Sequence, residues 1–287
     1  MAALNPRELF LMPNSWNSKV VIVTGASSGI GESTVNAFAA QGASVVLAAR
    51  NQAKLNQLES RVHQKYKTPT LSIPTDVSRE EDCRNLIACT IERFGRIDVL
   101  VNNAGISMRA LFDQVNLQVI RNLMETNFWG SVYCTHHALP HLLKSKGSVV
   151  GVSSIAGYRG LPGRTGYSAS KFAMQGFLES LRTENLHNGL HVMVICPGFT
   201  ATNIRKVALD ADGKAQGESP REENKMMTAD EVADHLLRGV ERRKRTVILT
   251  SQGKMTVFLN KWFPAWMDKM VFNHMAKEAD SPFSKDT

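Results

Sequence analysis

A hydroxyl, a phenol and an amine stand in this sequence at a spacing that could move a proton. Ser153 and Ser154 end a short β-branched run, Tyr167 follows thirteen residues after Ser154, and Lys171 lies four further on. A helix there places Tyr167 and Lys171 on one face. A free phenol, with a pKa near ~10, is a poor base at neutral pH. A neighbouring ammonium favours the phenolate and draws the pKa toward the working range, as general acid–base catalysis needs. A Tyr four residues before a Lys is common taken alone, so its surroundings must carry the meaning.

The clearest of these surroundings is a glycine turn. Residues 24–31 read TGASSGIG, directly after an apolar run and at the start of a helical stretch. Gly25 permits a tight turn. Gly29 and Gly31 have no side chains, so backbone can approach a pyrophosphate and the helix can pack on the strand. Ser27, Ser28 and Ile30 fill the places between, and the free N–H groups of the helix start face the phosphates. The strand and helix context makes this a dinucleotide site. The second apolar run ends in Ala49 and Arg50. Sites selective for NAD usually offer a carboxylate here to the ribose 2′-hydroxyl. A guanidinium instead grips a 2′-phosphate bidentately. The expected cofactor is therefore NADP(H) rather than NAD(H).

The spacing GxxxGxG after a strand-end Thr, joined to Ser154, Tyr167 and Lys171, resembles the short-chain dehydrogenase/reductase family over about residues 18–250. That resemblance implies further roles. Tyr167 is the general acid in reduction and the base in oxidation, and Ser154 hydrogen-bonds the substrate oxygen. Lys171 lowers the Tyr167 pKa and holds the nicotinamide ribose. Asn127 resembles the helix Asn that supports a proton relay through Lys171 and water, with a packing or kink role as its plainer reading. Asp76 and Val77 resemble the pair at the adenine ring. Asn102-Asn103-Ala104-Gly105 resembles the NNAG signature, which lines the adenosine ribose and steadies the sheet, with Asn103 and Ala104 serving partly to hold the fourth strand. Pro197, Gly198, Thr200 and Thr202 resemble the segment beside the nicotinamide. The family also implies a homo-oligomer, dimer or tetramer, through the helices near 116–143 and 167–187. Arg50, the SSIAG context and the C-terminal tail are most similar to its steroid- and lipid-active reductases.

These residues need a scaffold, and the pattern supplies one. Short β-branched runs at 19–24, 44–48, 70–74, 97–101, 148–153, 191–196 and 246–250 alternate with helical stretches. This rhythm predicts an α/β fold, a single doubly wound Rossmann domain with a parallel sheet of about seven strands. Right-handed crossovers bring the strand carboxyl ends to one edge, where ligands bind. Ser78 with Glu81, and Thr228 with Glu231, have capping-box spacing. Residues 203–227 lack periodicity and are expected as a substrate lid. The 287 residues form one domain, with the dinucleotide-binding core at 18–250 and an amphipathic extension at 253–280.

Composition narrows the field. Charged residues make up 21% and hydrophobic residues 43%, which argues against a disordered or fibrous chain. No apolar run approaches the ~18 residues that span a bilayer. Leu9–Met12, bracketed by Pro6 and Pro13, is too short for a signal peptide core. Cys83, Cys89, Cys134 and Cys196 show no metal-ligand spacing, so reduced thiols, no metal and a cytoplasmic setting are expected. The net charge of +8 is spread over the body rather than gathered in a stripe, so nucleic acid is not an expected partner. In the extension, apolar residues from Met255 to Met275 recur at near-helical spacing, interrupted by Pro264. Two readings stay open for it: packing against the body or another subunit, or peripheral contact with a membrane surface.

The expected substrate is a small alcohol or carbonyl compound. Its pocket is expected from 155–166, the stretch after Gly105, and the lid, with Ile106, Met108, Tyr158, Leu161 and Phe199 as apolar lining. The leading activity is NADP(H)-dependent interconversion of a secondary alcohol and a carbonyl in an apolar molecule. A 3-oxoacyl thioester reductase and a non-catalytic NADP-binding regulatory or scaffold protein are the rivals.

Overall fold

In the computed structural model, which describes residues 16–217, 226–277 and 281, the apolar runs become seven strands. They are β1 (Val20–Thr24), β2 (Ser44–Ala49), β3 (Thr70–Pro74), β4 (Val99–Asn102), β5 (Ser148–Val152), β6 (His191–Cys196) and β7 (Thr246–Ile248). All pair in parallel in one sheet of order 3-2-1-4-5-6-7. The helices are α1 (Gly29–Ala40), α2 (Gln52–Tyr66), α3 (Glu80–Phe94), α4 (Leu117–Leu123), α5 (Gly130–Ser145), α6 (Thr165–Glu184), α7 (Ala229–Glu241), α8 (Ser251–Trp262) and α9 (Pro264–Ala276).

Every residue of β1, β2, β5 and β6 is buried, because helices cover both faces of the sheet. On one face Val21, Val23 and Leu47 pack with Phe38 of α1, Leu55 of α2 and Leu236 of α7. On the other, Ile22, Leu100 and Val149 pack with Leu86 of α3, Leu142 of α5 and Leu178 of α6. The strand order reverses at β1, between β2 and β4. That switch point opens a crevice at the strand carboxyl ends.

Three local departures from the sequence reading have physical causes. Ser78 does not cap α3: its hydroxyl donates to Asp76 Oδ1 at 2.7 Å, and the helix begins at Glu80 after Arg79. Asp76 Oδ1 accepts from both the N–H and the hydroxyl of Ser78, and this Asx turn holds Ser78 ahead of the helix. At Thr228 the capping box forms: Glu231 N–H donates to Thr228 Oγ1 at 3.1 Å and Thr228 N–H to Glu231 Oε2 at 2.8 Å. The long helix expected over 116–143 is α4, a π-helical turn at Met124–Trp129 carrying Asn127, and α5. The described part of 203–227 is tied down: Leu209 N–H donates to Ser107 O, and Leu209 O accepts from Arg109 N–H, each at 2.9 Å. Residues 218–225 and the run at 9–12 lie outside the described residues. Pro264 opens α9, whose Met267, Val271 and Met275 are buried against Leu161 and Leu259.

Gly31 is where α1 meets the turn that precedes it. A Cβ there would stand 2.2 Å from Gly25 O and 2.6 Å from Asn103 Nδ2. Gly31→Ala is expected to destabilise the fold by about 1–3 kcal/mol, the usual cost of overpacking. Urea denaturation midpoints check this, and an unchanged midpoint would show that the turn has slack.

Candidate active site

Gly25 and Gly29 adopt φ of +64° and +55°, a left-handed backbone that disfavours side chains. They turn the chain from β1 into α1 at the switch point. A Cβ on Gly25 would sit 2.9 Å from Ala104 Cα. One on Gly29 would sit 3.2 Å from Thr202 Cγ2, so the turn and the Pro197–Thr202 segment face each other across a narrow strip. Ser28 is the residue before α1, and its side chain makes no capping bond. Ser27 and Ile30 are half-buried beside it.

Thr24 joins this turn to the end of β4. Its hydroxyl donates to Val101 O at 3.2 Å and accepts from the N–H groups of Asn103 and Ala104, both at 3.0 Å. Asn103 Nδ2 returns the link by donating to Thr24 O at 2.8 Å. Asn103 and Ala104 therefore hold strand ends together here, while Asn103 and Gly105 also border the main cavity. At the far side of the crevice, Asp76 is occupied by the Ser78 turn, and Val77 is buried against Gly130. Ala49 is buried at the end of β2. The next residue, Arg50, is exposed and makes no ion pair among the described residues.

Ser154, Tyr167 and Lys171 come together on one wall of the cavity. Ser154 follows β5, and its Oγ accepts from Ala156 N–H at 3.1 Å; the same hydroxyl counters the rise of the Tyr167 pKa. Lys171 Nζ lies 5.8 Å from the centre of the Tyr167 ring and donates to Val152 O at 2.9 Å. Burial lowers the Lys171 pKa to about 8. Burial also raises the Tyr167 pKa, opposed by the Ser154 hydrogen bond and then by the charge of Arg164. The expected lowering of the phenol by Lys171 is thus not the balance among these side chains alone.

Asn127 is buried in the π-helical turn. Its Oδ1 accepts from Ile106 N–H at 2.8 Å, and its Nδ2 donates to Ile106 O at 3.0 Å and Ser170 Oγ at 2.9 Å. Ser170 in turn donates to Tyr167 O at 2.8 Å. A Cβ on Gly105 would stand 3.1 Å from Asn127 Oδ1 and 3.5 Å from Lys171 Nζ, so the two side chains border the same small space. π-Helical turns recur at functional sites because they re-aim a side chain into a cavity.

The cavity measures about 800 Å³. Pro197, Gly198, Thr200 and Thr202 line it beside the catalytic wall, and the backbone of Phe199 and Ala201 pairs with Met227. Leu161 and Phe199 line it as expected. Ile106, Met108 and Tyr158 do not: Met108 is buried beneath α4, and Tyr158 packs toward the sheet. Methionines 226, 227, 267, 270 and 275 supply much of the lining instead. Arg164, Arg205 and His274 also line it and escaped the sequence reading. Arg164 could have been found from its place three residues before Tyr167. Arg205 and His274 reach the cavity through the lid and α9, and no local motif marks them.

The Lys171 ammonium gives stability a definite pH slope. Its folded pKa of about 8 lies below its ordinary 10.5. Between those values the unfolded chain holds a proton that the folded chain lacks, so this group adds stability as pH rises through that window. Denaturation midpoints of the wild type and Lys171→Met, taken at about pH 7.5 and about pH 9.5, check this. The difference should move in favour of the wild type at the higher pH; a constant difference would contradict the burial of the charge.

Known proteins resemble this chain in sequence and in fold. Residues 19–212 match the pattern of the family described as short chain dehydrogenase. A protein of Arachis hypogaea named 11-beta-hydroxysteroid dehydrogenase A is 41% identical over 198 residues, 69% of this chain and 56% of that protein. The chain thus spans little more than half the length of that plant relative. Dehydrogenase/reductase SDR family member 7B of Danio rerio is 34% identical over 275 residues, 93% of this chain and 88% of that protein. The X-ray structure of an alcohol dehydrogenase from the archaeon Thermococcus sibiricus, complexed with 5-hydroxy-NADP, has a TM-score of 0.71 at 25% identity. The match covers 80% of this chain and 94% of that one. With the glycine turn at the switch point and the Ser–Tyr–Lys wall beside it, the chain belongs to the short chain dehydrogenase family.

Proposed function

We propose that the protein interconverts a secondary alcohol and a carbonyl in an apolar substrate, using NADP(H). The observation that carries this reading is the meeting of Ser154, Tyr167 and Lys171 on the wall of a cavity that also reaches Ile30 and Thr202. A dinucleotide fits this edge: the glycine turn leaves a strip that a Gly29 side chain would narrow, and Arg50 stands at the end of β2. Gly25 and the backbone of Ser27–Gly31 would hold the pyrophosphate. Asp76 and Val77 would border the adenine, and Asn103–Gly105 with Lys171 the riboses. Pro197, Gly198, Thr200 and Thr202 would border the nicotinamide, which when bound supplies or accepts the hydride.

Tyr167 faces the same space and holds the proton that reduction requires. In reduction the phenol gives its proton to the oxygen as charge develops there; in oxidation the phenolate takes it back. The Ser154 hydroxyl donates to that oxygen and so orients it. Burial keeps the phenol protonated, which suits proton donation. Lys171 and Asn127 border the space through which the proton is replaced. A cavity lined by flexible methionines accepts bulky apolar molecules without a rigid outline. The names of the Arachis relative and of the archaeal structure agree with a steroid-like or other apolar alcohol and with an NADP-type cofactor.

Turnover is measured by NADPH oxidation and NADP reduction over steroids, retinoids, quinones, small diketones and 3-oxoacyl thioesters, with NADH and NAD in parallel. NADPH is expected to be preferred with one apolar class. Arg50→Ala is expected to reduce that preference by about tenfold or more, the worth of a charge-assisted hydrogen bond. An NADH preference in the wild type would overturn the assignment of Arg50, and turnover confined to thioesters would favour an acyl-chain reductase.

A further inference from the structure

Two faces of the C-terminal helix pair differ in what they meet. Met267, Val271 and Met275 recur every four residues along α9, are buried, and line the cavity. The other face remains outside. Met255, Phe258 and Trp262 of α8, then Phe263, Trp266 and Met270, are each more than a third exposed. Positions 255, 258 and 262 fall on one side of a helix, and so do 266 and 270. Large apolar side chains scattered singly on a surface need no explanation, but a contiguous set marks a contact surface.

The charges beside this face indicate what it contacts. Lys254, Lys261 and Lys269 are all exposed on α8 and α9. The one acidic residue of the two helices, Asp268, is engaged by Arg159. Lys261 Nζ lies 5.7 Å from the Trp262 ring centre, so ammonium and indole share one edge of the patch. Aromatic rings at the headgroup boundary with lysines beside them are the mark of an interfacial helix. A dry protein interface would favour fewer lysines. Neither helix is long and apolar enough to cross a bilayer, so the contact is parallel to the surface.

The patch is also continuous with the cavity. Met270 is exposed at the patch and lines the cavity, and Thr256 of α8 and His274 of α9 line it from the same helices. We propose that α8 and α9 dock on an anionic lipid surface through Met255, Phe258, Trp262, Phe263 and Trp266, with Lys254, Lys261 and Lys269 against the headgroups, so that the cavity opens toward the bilayer. An apolar substrate dissolved in lipid then reaches the cavity past Met270 without entering bulk water. The docking stands on the exposed residues alone; only its purpose rests on the oxidoreductase reading.

The test uses the full chain with vesicles of phosphatidylcholine, with and without about a quarter phosphatidylserine. Co-sedimentation is expected to be stronger with the anionic lipid and to weaken with salt, and the tryptophan emission is expected to shift to the blue. The pair Trp262→Glu and Trp266→Glu should lower partitioning by about tenfold or more. The triple variant Lys254→Gln, Lys261→Gln and Lys269→Gln should lose the preference for anionic lipid but keep the folded secondary structure. Neither set lines the cavity, so NADPH binding should be unchanged in both. Absence of co-sedimentation with either vesicle would overturn the proposal. So would a change in oligomeric state in the two tryptophan variants without loss of lipid binding, which would assign the face to a second copy of the chain. Failure of turnover with every soluble carbonyl would count against the oxidoreductase reading and leave the vesicle result standing.

Discussion

A buried set of hydrogen bonds at the carboxyl edge of the sheet holds everything that could do chemistry here. The Thr24 hydroxyl joins the ends of β1 and β4, and Asn103 ties back to Thr24. Two residues on, Gly105 passes so close to Asn127 that a Cβ would crowd its amide oxygen and touch Lys171 Nζ. Asn127 bonds Ser170, and Ser170 bonds the carbonyl of Tyr167. The glycine turn and the catalytic wall are thus linked through partnered polar groups. Such groups are costly to leave unpaired, so each fixes the position of the next.

The same burial sets the electrostatics. Removing water raises the Tyr167 phenol and lowers the Lys171 ammonium to about 8. Both shifts favour the neutral forms. The site therefore holds a proton on the phenol, and the charges that oppose this are few: the Ser154 bond and the Arg164 guanidinium. Releasing the proton requires positive charge that a bound oxidised nicotinamide would bring close to the phenol. Proton donation is the resting disposition, and proton removal depends on what is bound.

Much of this was legible in the sequence where local rules act alone. The buried strands announce themselves through continuous β-branched runs, as at 19–24 and 191–196. The glycine turn is readable because its backbone tolerates few alternatives, and Tyr167 with Lys171 because one helical turn fixes their relation. The readings failed where a local turn or distant packing overrides the spacing of residues. Ser78 is held in the Asx turn at Asp76, one residue short of the position that caps α3. The π-helical turn around Asn127 leaves no mark in a hydrophobic pattern. Arg205, His274 and the methionines of α9 join the cavity through tertiary packing, which spacing along the chain does not encode.

Tyr167→Phe removes the hydroxyl that is proposed to carry the proton. The variant removes one oxygen from a buried ring, and the Ser154 hydroxyl can still orient toward a substrate. NADPH binding, followed by the fluorescence of the bound dihydronicotinamide, and single-turnover reduction should be measured on the same preparation. The account predicts wild-type affinity for NADPH with turnover lower by about 10²–10⁴-fold. Turnover near that of the wild type, with binding intact, would show that another group supplies the proton.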